Sequence, residues 1–164
     1  PKTTVMIRNL PKSLSRDCLV QLLEAEGFRA AFDFVYMPLH FTNKTNFGYA
    51  FVNLVSQEQA ERFCGYFAGL PVRTKSGEEQ LAGISWSTLQ GFDANARHYR
   101  DSRLMHPEVE ERLKPVVFRD GVRVAFPSPT RPLFKPRGRP VRRRDGDGSP
   151  KNDQRAAPAG EEEG

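Results

Sequence analysis

The chain reads as an α+β domain in which four short strands and two helices follow one another as βαββαβ. Three observations predict this. Two stretches repeat apolar residues at helical spacing behind a serine cap. Four others alternate, or form short apolar runs bounded by Gly, Pro or Asn. Residues 127–164 hold almost no large apolar side chains, so the information for a core ends before them.

Residues 3–8 are the first strand. Ser15 caps a helix over 16–26 whose Leu19, Leu22 and Leu23 share a face, and Gly27 ends it. Phe32 to Met37 is the second strand, apolar on both faces, and Pro38 stops it. Leu39 to Asn46 is a polar loop leading into a third strand over 47–54. Ser56 with Gln59 forms a capping box for a helix over 57–68, which buries Ala60, Phe63, Cys64 and Phe67 and ends at Gly69. After a loop containing Lys75-Ser76-Gly77, the run Ile84-Ser85-Trp86-Ser87-Thr88 alternates as the fourth strand, with Trp86 in the core.

This order is the split βαβ, ferredoxin-like arrangement: a four-stranded antiparallel sheet with two helices on one face and the other face open. Beyond Gly91, Phe92, Ala96 and Tyr99 keep helical spacing and predict a third helix near 92–104. Its stripe of Leu89, Phe92, Ala96 and Tyr99 is expected to pack against the body. Laid across the open face, the helix would either gate that surface or extend it. The expected organisation is a domain over 1–105, a short extension over 106–126 packed on or near it, and a disordered basic tail over 127–164.

The octapeptide Phe47-Gly48-Tyr49-Ala50-Phe51-Val52-Asn53-Leu54 carries the functional signal. Period-two alternation sends Gly48, Ala50, Val52 and Leu54 to the core and Phe47, Tyr49, Phe51 and Asn53 to the open face. A half-buried strand ordinarily shows polar groups there; three rings instead make a surface on which bases stack, at roughly 1–3 kcal/mol each. Six of its eight positions follow the octamer of the RNA-recognition motif, with Phe47 where a cation is usual and Leu54 where an aromatic is usual. Val5-Met6-Ile7-Arg8-Asn9-Leu10 supplies the companion strand, placing Met6 and Arg8 beside the rings.

The stretch Thr3 to Met105 resembles the carboxy-terminal RNA-recognition motif of the Mei-two-like family. The resemblance rests on Thr3-Thr4-Val5-Met6-Ile7-Arg8-Asn9-Leu10-Pro11, Phe32-Asp33-Phe34-Val35-Tyr36-Met37-Pro38 and Asn43-Lys44-Thr45-Asn46-Phe47-Gly48-Tyr49-Ala50-Phe51. Leu89-Gln90-Gly91 and Ser102-Arg103-Leu104-Met105 are similar to an extension that generic motifs lack. The resemblance implies selective binding of single-stranded RNA and a role in meiosis or development. The RNA contacts expected are Met6, Arg8, Asn9, Lys44, Phe47, Tyr49, Phe51, Asn53, Ser85 and Ser87, with bases on Tyr49 and Phe51 and polar groups reading base edges. A protein-interaction domain with a covered sheet face is the competing reading.

The tail holds a second motif. Arg131 to Arg144 carries seven basic residues and no acid, whereas residues 1–126 balance 16 cations against 14 anions. Within it, Pro136-Arg137-Gly138-Arg139-Pro140 has the core of an AT-hook: glycine lets an extended backbone approach a narrow A·T minor groove, and the arginines lie along it. Lys135, Arg137, Gly138, Arg139, Arg142, Arg143 and Arg144 are the expected DNA or RNA contacts of this arm. The same basic run suits nuclear import, and the expected location is the nucleus, the cytoplasm or both.

Other classes find little support. Cys18 and Cys64 read as reduced thiols, and His40, His98 and His106 are too scattered for a metal site. No paired carboxylates or nucleophile with a base stand at a catalytic spacing, so neither an enzyme nor a cofactor is expected. No stretch approaches the roughly 20 apolar residues of a membrane span. A start at Pro1 just before a strand suggests a piece of a larger protein.

Overall fold

In a computed structural model that describes residues 1–136, the chain runs β1 (Thr4–Arg8), α1 (Arg16–Leu23), β2 (Phe32–Tyr36), β3 (Ala50–Leu54), α2 (Gln57–Phe67), β4 (Pro71–Arg73), β5 (Glu79–Leu81), β6 (Gly83–Trp86), α3 (Phe92–Arg100), β7 (Val116–Arg119) and β8 (Val122–Val124). The βαββαβ order holds, with the antiparallel strand order β6-β1-β3-β2 at its centre. The sheet has six strands and not four, because β7 pairs with the free edge of β2 and β8 pairs with β7. A separate two-stranded ribbon of β4 and β5 lies between α2 and β6.

The caps act as their chemistry dictates. Ser15 accepts from the Cys18 amide and Ser56 from the Gln59 amide, satisfying donors that the first turn of each helix leaves open. α1 is shorter than the pattern suggests: it gives way at Glu24 to a π-helical turn that ends at Phe28, with Gly27 at φ 91°. Such a φ is open to glycine at no steric cost.

Register sorts the sheet residues into two faces, since residues directly opposite on antiparallel strands point the same way. On the α1/α2 side, Val5, Val52 and Val35 stand in one row, each 0% exposed. Trp86 continues that row but is only half-buried, because β6 is the edge strand. On the opposite side one row contains Thr4, Asn53 and Phe34, and a second contains Ser85, Met6, Phe51 and Tyr36. At the end of β1, Arg8 is paired with Gly83 of β6.

The second face is not open. Gly91, at φ 94°, turns the chain out of β6, and α3 crosses the sheet from Thr4 to β2. There the Tyr99 ring stacks on Phe34 at 5.9 Å and meets Tyr36 at 4.8 Å. The helix stops at Arg100, short of the predicted 104. Ser102 then caps a 3-10 turn over Arg103–Met105.

From there residues 106–115 run to the start of β7 past the amino end of α1. The pin is Arg16, whose guanidinium donates to the Glu111 and Lys114 carbonyls at 2.8 and 2.9 Å and pairs with Glu111 and Asp17. Its side chain is 1% exposed.

Candidate nucleic-acid interface

The aromatic strand is shorter than its octapeptide. Regular pairing begins at Ala50, because Gly48 adopts φ 91° and its carbonyl turns to accept from the Leu10 amide at 2.9 Å. Asn46 fixes this bend. Its buried side chain donates to the Pro11 and Leu14 carbonyls at 2.8 Å each, and its Oδ1 accepts from the Gly48 amide.

A row of four rings leads into the strand. His40 lies 3.9 Å from Phe47, Phe47 is stacked with Tyr49 at 6.2 Å, and Tyr49 meets Phe51 edge-on at 5.6 Å. Phe47 and Tyr49 are half-buried and Arg8, the last residue of β1, is exposed, so ring surface and a cation are both accessible on the two motif strands. Bases stack on such rings and phosphate pairs with guanidinium.

The inner positions are covered. Met6, Phe51 and Asn53 are each 2% exposed and Ser87 is 4% exposed, against the expectation that all four face solvent. The physical reason is α3, whose apolar stripe finds on this face the rings of Phe34 and Tyr36. Asn53 is further committed: its Oδ1 accepts from the Thr3 and Thr4 hydroxyls, and its Nδ2 donates to Asp33 at 2.8 Å. Asp33 sits at the bulge where β2 slips register between Phe32 and Phe34. Burial pushes its carboxyl up to about 6, and the Asn53 hydrogen bond opposes part of that rise.

Two other expected contacts are also engaged. Lys44 pairs with Glu110 at 3.1 Å, tying the β2–β3 loop to the segment before β7. Lys44 and Arg112 together hold the Glu110 carboxyl below its usual range. Asn9 is exposed in the left-handed region at φ 58° and donates to the Leu81 carbonyl at 2.9 Å. In the tail Lys135 is exposed, whereas Arg137, Gly138, Arg139, Arg142, Arg143 and Arg144 lie outside the described residues.

Sequence reasoning missed what holds α3 in place. The Gln90 side chain accepts from the Thr3 and Thr4 amides and donates to the Thr4 and Ser87 carbonyls, all within 2.7–2.8 Å. Thr4 Oγ1 accepts from the Gly91 amide and from Asn95. At the other end Thr130 donates twice to Asp101, and Arg103 lies 5.2 Å from the Phe134 ring. The Leu89-Gln90-Gly91 block was visible; its job was not, since Thr3 and Thr4, to which Gln90 and Gly91 tie it, are more than 80 residues away.

Two paired central strands, with α1 and α2 on one face and motif rings on the other, are the arrangement of an RNA recognition motif. The sequence profile of the RNA recognition motif 2 family matches residues 2–100, and the chain belongs to that family. The matched region ends with α3, so the covering helix falls inside it. Among curated relatives, Protein MEI2-like 3 of Arabidopsis thaliana is 34% identical over 127 residues, 77% of this chain and 16% of the relative. Protein terminal ear1 homolog of Oryza sativa subsp. indica is 34% identical over 148 residues, 78% of this chain and 21% of the relative. The chain thus spans only a small part of the relatives it matches. Among solved structures, an Rna15 RRM with bound RNA shares 14% identity at a TM-score of 0.46, covering 58% of this chain and 94% of that one. A Sex-lethal protein/RNA complex shares 21% at a TM-score of 0.45, covering 56% and 50%.

Proposed function

We propose that this chain is a non-catalytic module that binds single-stranded RNA, with the rim of Arg8, Phe47 and Tyr49 as the first landing site. The observation that carries this reading is the stacked, half-buried pair Phe47–Tyr49 leading into the central strand β3, in a chain whose residues 2–100 match the RNA recognition motif 2 family. Likeness to the MEI2-like proteins supports a role in post-transcriptional control of meiosis or development, in the nucleus or cytoplasm. The basic arm from Lys135 onward would add phosphate contacts, or take A·T-rich DNA in its minor groove.

A fluorescence-anisotropy titration with labelled, randomised single-stranded RNA tests the site. Phe47→Ala and Tyr49→Ala are each expected to weaken binding roughly 10-fold, the value of one stacked base. Affinity that neither change moves overturns the reading. Repeated across salt on a chain lacking residues 131–144, the titration shows a shallower slope if the arm meets phosphate.

A second reading has one observation in its favour: α3 covers the inner rows, as in a fold used for protein contact. RNA binding that survives loss of both rim rings, or fails altogether, would favour it.

A further inference from the structure

A pocket of about 280 Å³ lies at the end of the sheet away from the ring row. Val55, which lines it, follows β3, whereas Phe47 and Tyr49 precede that strand. Its other walls are Phe92 at the start of α3, Val124 of β8 and the β7 end at Phe118, with Arg119 and Asp120 exposed beside them. Asp33 at the β2 bulge also lines it, and this carboxylate is half-buried. Its Oδ1 accepts from Asn53, and among the described residues no cation pairs with it. Charges taken out of water are ordinarily paired or hold a metal. A metal is poorly served here, since the described residues hold no group of three metal-binding side chains.

We propose that this pocket is a docking site for a partner protein and receives one arginine side chain from it, paired with Asp33. The carboxylate sets the sign of the ligand's charge, and Asp93 in the first turn of α3 adds to the same field. Hydration then chooses among cations. A guanidinium is more weakly hydrated than an ammonium, so it enters a half-dry pocket at less cost, and its flat face stacks on a ring such as Phe92. Val55 and Val124 cover the methylenes of its stem. With Oδ1 engaged by Asn53, Oδ2 remains for the incoming N–H donor. Arg119 at the mouth repels a second cation beside the first, which favours an isolated arginine over a basic run. The chain's own arm is tied elsewhere: Thr130 is held by Asp101 and Phe134 lies by Arg103, both past the carboxyl end of α3, whereas the pocket is at its amino end.

The test is an NMR titration of the isotope-labelled full chain with the capped peptide Gly-Ala-Arg-Ala-Gly. Amide shifts are expected at Asp33, Val55, Phe92 and Val124, and the same peptide with neutral citrulline for arginine is expected to bind roughly 10-fold more weakly or less, the value of a charge-assisted hydrogen bond. Asp33→Asn keeps an acceptor for Asn53 and is expected to fold, to lose the peptide to the same extent and to bind RNA as before. Val55→Lys, at a position 52% exposed, places a rival cation at the pocket and is expected to block the peptide. Equal binding of the citrulline peptide, or peptide binding that neither variant changes, overturns the site. Changing Arg137, Arg139, Arg142, Arg143 and Arg144 together to Gln is expected to leave peptide affinity level. Peptide bound several-fold more tightly after that change means that the chain's own arm fills the pocket, and overturns the partner.

Discussion

The two faces of the sheet are both buried, but different chemistry buries them. Under α1 and α2 the rows are hydrocarbon: Val5, Val52, Val35, Ile7 and Ala50, closed by Leu19, Leu23, Phe63 and Phe67. Under α3 the rows mix rings with Thr4, Asn53, Ser85 and Ser87, and the helix contributes Asn95 beside Ala96 and Tyr99. Hydrocarbon burial has no alternative partner and is permanent, at about 25 cal/mol per Å². A seat rich in polar groups, some unpaired, competes with anything that can hydrogen-bond to it. The comparison teaches that equal burial can rest on different chemistry, and that the unpaired polar atoms among the described residues gather on the α3 side.

The largest effect should come from the permanent face. Phe63→Ala, deep in the cluster of Phe28, Phe63 and Phe67, is expected to cost about 3–5 kcal/mol in urea unfolding. Tyr99→Ala should cost clearly less, because α3 can detach locally while the main core stays closed. Equal losses would break the contrast between the faces.

Next comes the pin between them. Arg16→Leu leaves the Glu111 and Lys114 carbonyls without their donor and is expected to lose about 2–4 kcal/mol. It should also expose residues 103–114 to limited proteolysis before the rest of the domain. An unchanged cleavage pattern would show that β7 pairing, and not Arg16, holds that segment.

The smallest effect sharpens the electrostatics of the α3 side. Asp33 holds its proton more tightly in the folded chain, at about 6, than at its ordinary 3.8. The folded state therefore binds more protons across that window, and this group's contribution to stability falls as pH rises from about 4 to 6. Asp33→Asn should remove that loss, so the variant gains on the wild type between about pH 4 and pH 7 in urea midpoint. A constant difference would mean that Asp33 titrates normally.

Much of this was legible from local pattern. The caps at Ser15 and Ser56, the breaks at Gly27 and Gly69, and the alternation around Val5 and Val52 are short-range signals, and each element stands within a few residues of its expected place. The β7–β8 hairpin was also legible in principle. Val116-Val117-Phe118-Arg119 and Val122-Arg123-Val124 flank Asp120-Gly121, a dipeptide that favours positive φ, and both residues adopt it at 51° and 79°. The octapeptide misled by its length, since alternation cannot announce that Gly48 bends and Asn46 anchors the bend from 0% exposure.

By itself the sequence determined the βαββαβ order, the aromatic octapeptide and its companion strand, the third helix and the basic end, because caps, breakers and period-two or 3.6-residue patterning act over a few residues. Only the tertiary structure decided which face α3 takes, that Met6, Phe51 and Asn53 lie beneath it, and that Phe47, Tyr49 and Arg8 remain at the rim. Those outcomes rest on partners far apart in the chain, Gln90 with Thr4 and Tyr99 with Phe34 and Tyr36. An amphipathic stripe states that a helix must be buried; the surface that buries it exists only after the sheet has formed.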